Sequence, residues 1–191
     1  MEKRKSWKLG EIVTVLVLAV ALGVLWWGWT FVYNLAKPLQ PFGLDYLFSG
    51  FWYIGGTLIP FLIRRPGAAI FGELAAAIVE MPFTQWGLTS PIWGLVQGIA
   101  CELVFLLFRY RKWDLGVLML AGAVAAVFEY VLDFFYSHYA GLKLWVIADQ
   151  LVSNIIGGAI LAGVLAYVVG TAIRKTGVMR SITPGGQTEG A

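Results

Sequence analysis

Apolar residues run through this chain in long blocks, with polar residues confined to short clusters between them. The blocks have the length and character of membrane-crossing helices. The first runs from about Ile12 to Tyr33, rich in Val, Leu and Ala, and closes on Trp26, Trp27 and Trp29, which suit an interfacial belt. The second runs from Tyr46 to Ile63, with a kink expected at Pro60. The third, Pro66 to Met81, is Ala-rich and slightly short, so it is expected to be shielded by protein. The fourth is Pro91 to Phe108, the fifth Leu115 to Tyr136 and the sixth Leu144 to Ile173.

A basic start, Met1 to Lys8, resembles the leading part of a signal peptide. The run behind it exceeds a usual signal core and lacks a small-residue exit, so it reads as a retained first helix. The end, residues 181–191, is rich in Gly, Thr and Pro and reads as a disordered cytoplasmic tail. Residues 1–180 then form one six-helix transmembrane domain.

The polar clusters set an orientation. If the N-terminus is inside, the inner segments hold Lys3, Arg4, Lys5, Lys8, Arg64, Arg65, Arg109, Arg111, Lys112, Arg174, Lys175 and Arg180. Only Lys37 and Lys143 of the 14 basic residues fall outside. The positive-inside rule therefore chooses six spans with both ends cytoplasmic.

Composition agrees. The 191 residues are 59% hydrophobic and 13% charged, against about 25% charged in a soluble domain. The net charge of +3 does not point to nucleic acid, because the bases sit in short clusters between apolar runs. Cys101 is the lone cysteine and His138 the lone histidine, so neither an internal disulfide nor a Cys/His zinc site can be built. No cofactor is expected.

Acids inside such a chain are costly and mark functional sites. Glu73 and Glu80 are seven residues apart, two helical turns, and share one face of the third helix. Glu80 lies at its outer end. Glu129 and Asp133, i and i+4 neighbours, lie near the outer end of the fifth helix, and Glu102 lies on the fourth. No base sits within a span to pair with them, which predicts an acidic pocket open to the outside and suited to a cation. Asp45 and Asp149 lie at outer helix starts, where a capping or solvated role is as good a reading as a pocket role. Glu102 fits equally a pocket role or a buried carboxyl bonded to a neighbouring helix, and Arg109, seven residues on, is a more distant partner. Glu73 reads as a structural hydrogen-bonding group or a partner of the inner arginines.

Among many aromatic residues, Trp52, Tyr53, Trp86, Trp93, Tyr130 and Tyr136 fall near the outer acids and suit stacking on a flat heteroaromatic cation. Gln97 and Asn154 add neutral groups able to read an aminopyrimidine edge. Other chemistries fall away. Gly170 to Thr176 departs from a phosphate-binding loop, since Arg174 replaces the glycine before Lys175 and the segment ends a helix. No Ser-His-Asp set and no His-Glu-x-x-His occurs. Gly157-Gly158 and the spacing of Ala19 and Gly23 are helix-packing signals. Ala19, Gly23 and Ala76 are the small residues expected to meet a partner helix.

Three spaced motifs resemble one family. Arg64-Arg65-Pro66-Gly67-Ala68-Ala69, followed by Glu73, Ala76-Ala77 and Glu80, resembles the third-helix signature of the YkoE family. Gly94-Leu95-Val96-Gln97-Gly98, with Glu102 and Val104-Phe105, resembles its fourth helix. Leu118-Met119-Leu120-Ala121-Gly122, with Asp133, resembles its fifth. The likeness spans about residues 45 to 165, in order. That family is similar to the substrate-binding (S) components of energy-coupling-factor transporters. The resemblance implies an S-component-like bundle in the cell membrane and a substrate that is thiamin or its hydroxymethylpyrimidine precursor. It implies as partners a transmembrane coupling (T) subunit and two cytoplasmic ATPases.

Together these readings give an all-α integral membrane protein of six transmembrane helices that binds its ligand from outside and makes no bond itself. Glu80 and Asp133, with Glu102, would hold the cation; Trp or Tyr rings would stack; Gln97 would read the pyrimidine. Two rival readings remain at this stage. One is an intramembrane enzyme with paired Glu residues as acid and base; the other is a structural membrane subunit without ligand.

Overall fold

The computed structural model describes residues 6–181. Every regular element described is helical, the form in which a chain in lipid satisfies its own backbone. Helix α1 (Leu9–Ala36) is followed by a 3-10 turn over Lys37–Phe42 and a 3-10 segment over Leu44–Tyr53, which continues directly into α2 (Ile54–Ile63). Then come α3 (Ala68–Glu80), α4 (Ser90–Leu107), α5 (Leu115–Tyr136) and α6 (Leu144–Gly157). A π-helical stretch, Gly158–Val164, joins α6 to α7 (Leu165–Lys175).

Five helical stretches among the described residues are long and apolar enough to cross a membrane: Leu9–Phe42, Leu44–Ile63, Gly87–Leu107, Leu115–Tyr136 and Leu144–Lys175. The third expected span folds as α3, whose 13 residues reach about 20 Å, short of a hydrocarbon core of about 30 Å. The expected disordered tail begins at Ser181, which closes a short 3-10 turn; the rest of it lies outside the described residues.

The bundle is apolar on its outside. Val17, Phe31, Leu107 and Phe135 are among many large hydrophobic side chains left exposed, the arrangement of a protein whose solvent is lipid. Small and polar residues turn inward. The buried stripe of α3 is Ala68, Ala69, Gly72, Glu73, Ala76, Ala77 and Glu80, and that of α5 is Val117, Leu118, Ala121, Gly122, Ala125, Ala126, Glu129 and Tyr130. Both follow the three-and-four spacing of a helix with one packed face.

Small residues let backbones touch. A Cβ on Gly50 would strike the Gly157 carbonyl, and one on Gly122 would strike the Gly158 carbonyl. The Gly157-Gly158 pair thus seats the sixth helical run between the second and the fifth, as its spacing suggested. Ala19, Gly23 and Ala76 require a correction. They are buried where α1 packs on α3, and a Cβ on Gly23 would meet Val79 and the Ala76 carbonyl. They join two helices of this chain and leave no free face for a partner.

One end of the bundle carries the arginines. Glu11, fully buried, accepts from the Lys8 backbone N–H at 2.9 Å and pairs with Arg65 at 2.9 Å. Arg64 ends α2 in the left-handed conformation, φ 53°. Glu102 reaches across to α3, accepting from the Gly67 and Ala69 N–H groups at 2.5 and 3.0 Å and from the Tyr110 hydroxyl at 2.7 Å. A carboxylate there satisfies orphan donors and meets the positive end of the helix dipole.

Candidate functional site

At the opposite end lies a cavity of about 560 Å³, counting its open mouth. Its position follows from the helix register. Helices α3 and α4 run antiparallel and touch where Ala77 meets the place of a Cβ on Gly94. Glu80 therefore lies near the level of Ser90, and Gln97 two turns deeper. The bare Gly94 backbone and the small Ala77 leave room between them.

Acids reach the cavity from two helices. Glu80 of α3 accepts from Trp52 Nε1 at 2.9 Å through Oε1. Asp133 of α5 uses both oxygens: Oδ1 accepts from Trp93 Nε1 at 2.6 Å and Oδ2 from the Tyr46 hydroxyl at 2.8 Å. Because Tyr46 has one proton to give, its second contact, at 3.0 Å, is a bond donated by the Tyr139 hydroxyl. Glu129, one turn deeper on α5, accepts from Asn154 Nδ2 at 2.7 Å.

Aromatic faces complete the walls. Trp26, Tyr33, Trp52, Trp86 and Trp93 line the space. Tyr33 and Trp86 each meet Trp52 edge-on, with ring centroids 5.3 and 6.4 Å away. No lysine, arginine or histidine is among the lining residues, whereas three carboxyl side chains are. In a site of low dielectric such a wall favours a cation with a flat, polarisable body.

Of the residues singled out from sequence, Trp52, Tyr53, Glu80, Trp86, Trp93, Gln97, Glu129 and Asp133 line this one cavity. Three do not. Asn154 stands behind the wall, fully buried: its Oδ1 accepts from the Tyr53 hydroxyl at 2.7 Å, and its Nδ2 also donates to the Ala126 carbonyl at 2.9 Å. Tyr136 is 57% exposed and packs edge-on against Trp93 at 4.7 Å. Glu102 is at the arginine end, capping α3, where it bonds Tyr110 instead of Arg109. Of the remaining candidates, Tyr130 bonds Gln150 at 2.9 Å, Asp45 is buried against the Tyr33 hydroxyl at 3.1 Å, and Asp149 is exposed.

Sequence reasoning missed Trp26, Tyr33, Ser49 and Ser90. Trp26 was assigned to the interfacial belt, yet it is 1% exposed and donates to the Phe51 carbonyl at 3.0 Å. A signal was present. Ala19, Leu22, Trp26, Thr30 and Tyr33 recur at helical spacing, and the small and polar members mark that stripe as the packed face of α1.

The chain is 36% identical over 183 residues to the putative HMP/thiamine permease protein YkoE of Bacillus subtilis (strain 168), covering 95% of this chain and 92% of the relative. The chain belongs to the YkoE family. Residues 10–128 also match the family described as the permease component of an ABC-type cobalt transport system. A crystal structure of an S-component of an ECF transporter superposes on the YkoE-family fold seen here with a TM-score of 0.84 at 33% identity, covering 93% of this chain and 90% of that one. These relatives are transporter subunits, not enzymes, and the chain is accordingly a multi-pass membrane protein of the S-component fold.

Proposed function

We propose that this chain captures thiamin or its hydroxymethylpyrimidine precursor from outside the cell and hands it to an ATP-driven partner module. The observation that carries the reading is a single cavity in which three carboxyl groups face six aromatic side chains with no base among them. Thiamin pairs a permanently cationic thiazolium with a flat aminopyrimidine, and both halves find a counterpart there. Gln97 and Ser90, on one face of α4, add neutral polar groups for the aminopyrimidine. The name of the Bacillus relative supports the substrate class. Energy comes from a transmembrane coupling subunit and two cytoplasmic ATPases, the general partnership of the S-component fold. Titration of the purified protein with thiamin, thiamin phosphates and hydroxymethylpyrimidine, followed by tryptophan fluorescence, is expected to give saturable quenching, because four tryptophans line the cavity. No response to any of these compounds would sink the assignment.

The cavity faces outside in this reading, with both termini in the cytoplasm and six passes in all. The distribution of basic residues supports it. Single cysteines at Leu88, 83% exposed beside the cavity end, and at Lys175, at the end of α7, can be placed in a background lacking Cys101. An impermeant thiol reagent applied to intact cells is expected to label the first and spare the second. Labelling in the reverse order would invert the topology.

A further inference from the structure

The second helical run departs from α geometry beneath the cavity. Leu44–Tyr53 is ten residues of 3-10 helix, where runs beyond three or four are uncommon. At Ile54 it becomes α-helix. The junction matters because Trp52 and Tyr53 are its last two 3-10 residues and both line the cavity. Each 3-10 residue turns about 120° and rises about 2.0 Å, against about 100° and 1.5 Å in an α-helix. Converting one three-residue turn would swing the preceding side chains by roughly 60° and shorten the run by roughly 1.5 Å.

Two buried groups hold the junction in place. Glu73 accepts the Gly56 N–H through Oε2, a donor that in an uninterrupted α-helix would go to the Trp52 carbonyl. Glycine at 55 and 56 admits the carboxyl: a Cβ on Gly55 would run into Glu73 Oε2, and one on Gly56 into Cys101 Sγ. On the other side, the buried Thr57 hydroxyl donates at 2.6 Å to the Ala162 carbonyl. Ala162 lies in the π-helical stretch Gly158–Val164, where the usual i to i+4 pairing is interrupted. An irregularity in one helix is thus stitched to an irregularity in its neighbour.

We propose that Glu73 is a positioning residue, pinning the 3-10-to-α junction at Gly56 and with it the direction in which Trp52 and Tyr53 face the ligand. It works with Glu80, two turns along the same face of α3, which grips Trp52 itself. The proposal rests on the ligand cavity described above, although Glu73 does not line that cavity.

The test compares Glu73→Gln with Glu73→Leu in the full chain. Gln keeps an oxygen for the Gly56 N–H; Leu fills similar space without one. Amide exchange over residues 50–57 is expected to match wild type in the first variant and to quicken in the second, with other helices unchanged. Affinity for thiamin and for hydroxymethylpyrimidine is expected to stay within about threefold for Gln and to fall about tenfold for Leu, equally for both, since ring orientation serves either ligand. Wild-type exchange and affinity in Glu73→Leu would overturn the proposal. Should that variant not fold, Glu73→Met against Glu73→Gln decides: quickened exchange confined to 50–57 in Met supports the proposal, and unchanged or evenly raised exchange refutes it. If the wild-type protein bound neither compound, the ligand assignment would fall, while the exchange contrast between Gln and Leu would still judge the junction.

Discussion

Glu80→Gln is expected to weaken thiamin binding by roughly 10-fold to 150-fold and hydroxymethylpyrimidine binding much less, taking a charge-assisted contact as worth about 1.5–3 kcal/mol. The reason lies in how the cavity acids are already engaged. Glu80 holds Trp52 through Oε1 alone, and its second oxygen has no partner among the described residues. That oxygen is available to a thiazolium. Gln retains a carbonyl for Trp52 Nε1, so the wall should keep its shape while the charge is lost. Asp133 differs, because both of its oxygens are engaged, by Trp93 and by Tyr46. Asp133→Asn is therefore expected to disturb the two rings it holds and to weaken both ligands alike. Paired titrations at fixed pH and salt separate the roles. Equal losses for the two ligands in Glu80→Gln would remove this residue as the reader of the cation.

Asn154→Leu is expected to cost about 3 kcal/mol or more of stability. One amide links three helical runs: it accepts from Tyr53 and donates to Ala126 and Glu129. Leu has similar bulk but makes none of these contacts, so three buried hydrogen bonds are lost together. A buried neutral hydrogen bond is worth about 1 kcal/mol and one to a charged group about 1.5–3 kcal/mol. Equilibrium unfolding in mixed micelles measures the loss. Ile156→Leu, at a position 45% exposed on the same helix, serves as the control and should be near neutral. If Asn154→Leu proved as stable as that control, the wall would not depend on the amide, and the account of how Glu129 is held would be wrong.

Asn154 shows how the sequence was legible and where it stopped. Its position on the sixth helical run placed it near the cavity acids, and that was right. Its neighbours decided that it would brace Glu129 from behind instead of lining the space. Glu102 failed in the same way by a longer distance. A buried carboxyl bonded to a neighbouring helix was one of its sequence readings, and the structure supplies the partners: the α3 start and Tyr110. The pairing of Glu11 with Arg65 went unforeseen, because the two are 54 residues apart and their meeting depends on how α1 leans on the turn before α3.

What the sequence determined by itself is the class of protein, most helix positions and most of the residues from which the cavity is drawn. Lipid leaves a chain few options: long apolar runs must become helices that satisfy their own backbone. A fixed rise per residue then gives each acid and ring a depth, so Glu80, Asp133, Trp52 and Trp93 could be assigned to one end from spacing alone. What only the tertiary structure decided is rotation and partnership. In a soluble helix the polar face announces which side is out, but here the lipid side and much of the packed side are both apolar. Trp26 and Trp27 are adjacent in sequence and alike in chemistry, yet one is 1% exposed in the cavity wall and the other 44% exposed on the outside. The 3-10 and π irregularities were likewise settled in three dimensions, by Glu73 and Thr57 reaching the backbone of other helices, because a backbone leaves α geometry only where a neighbour supplies the hydrogen bond it gives up.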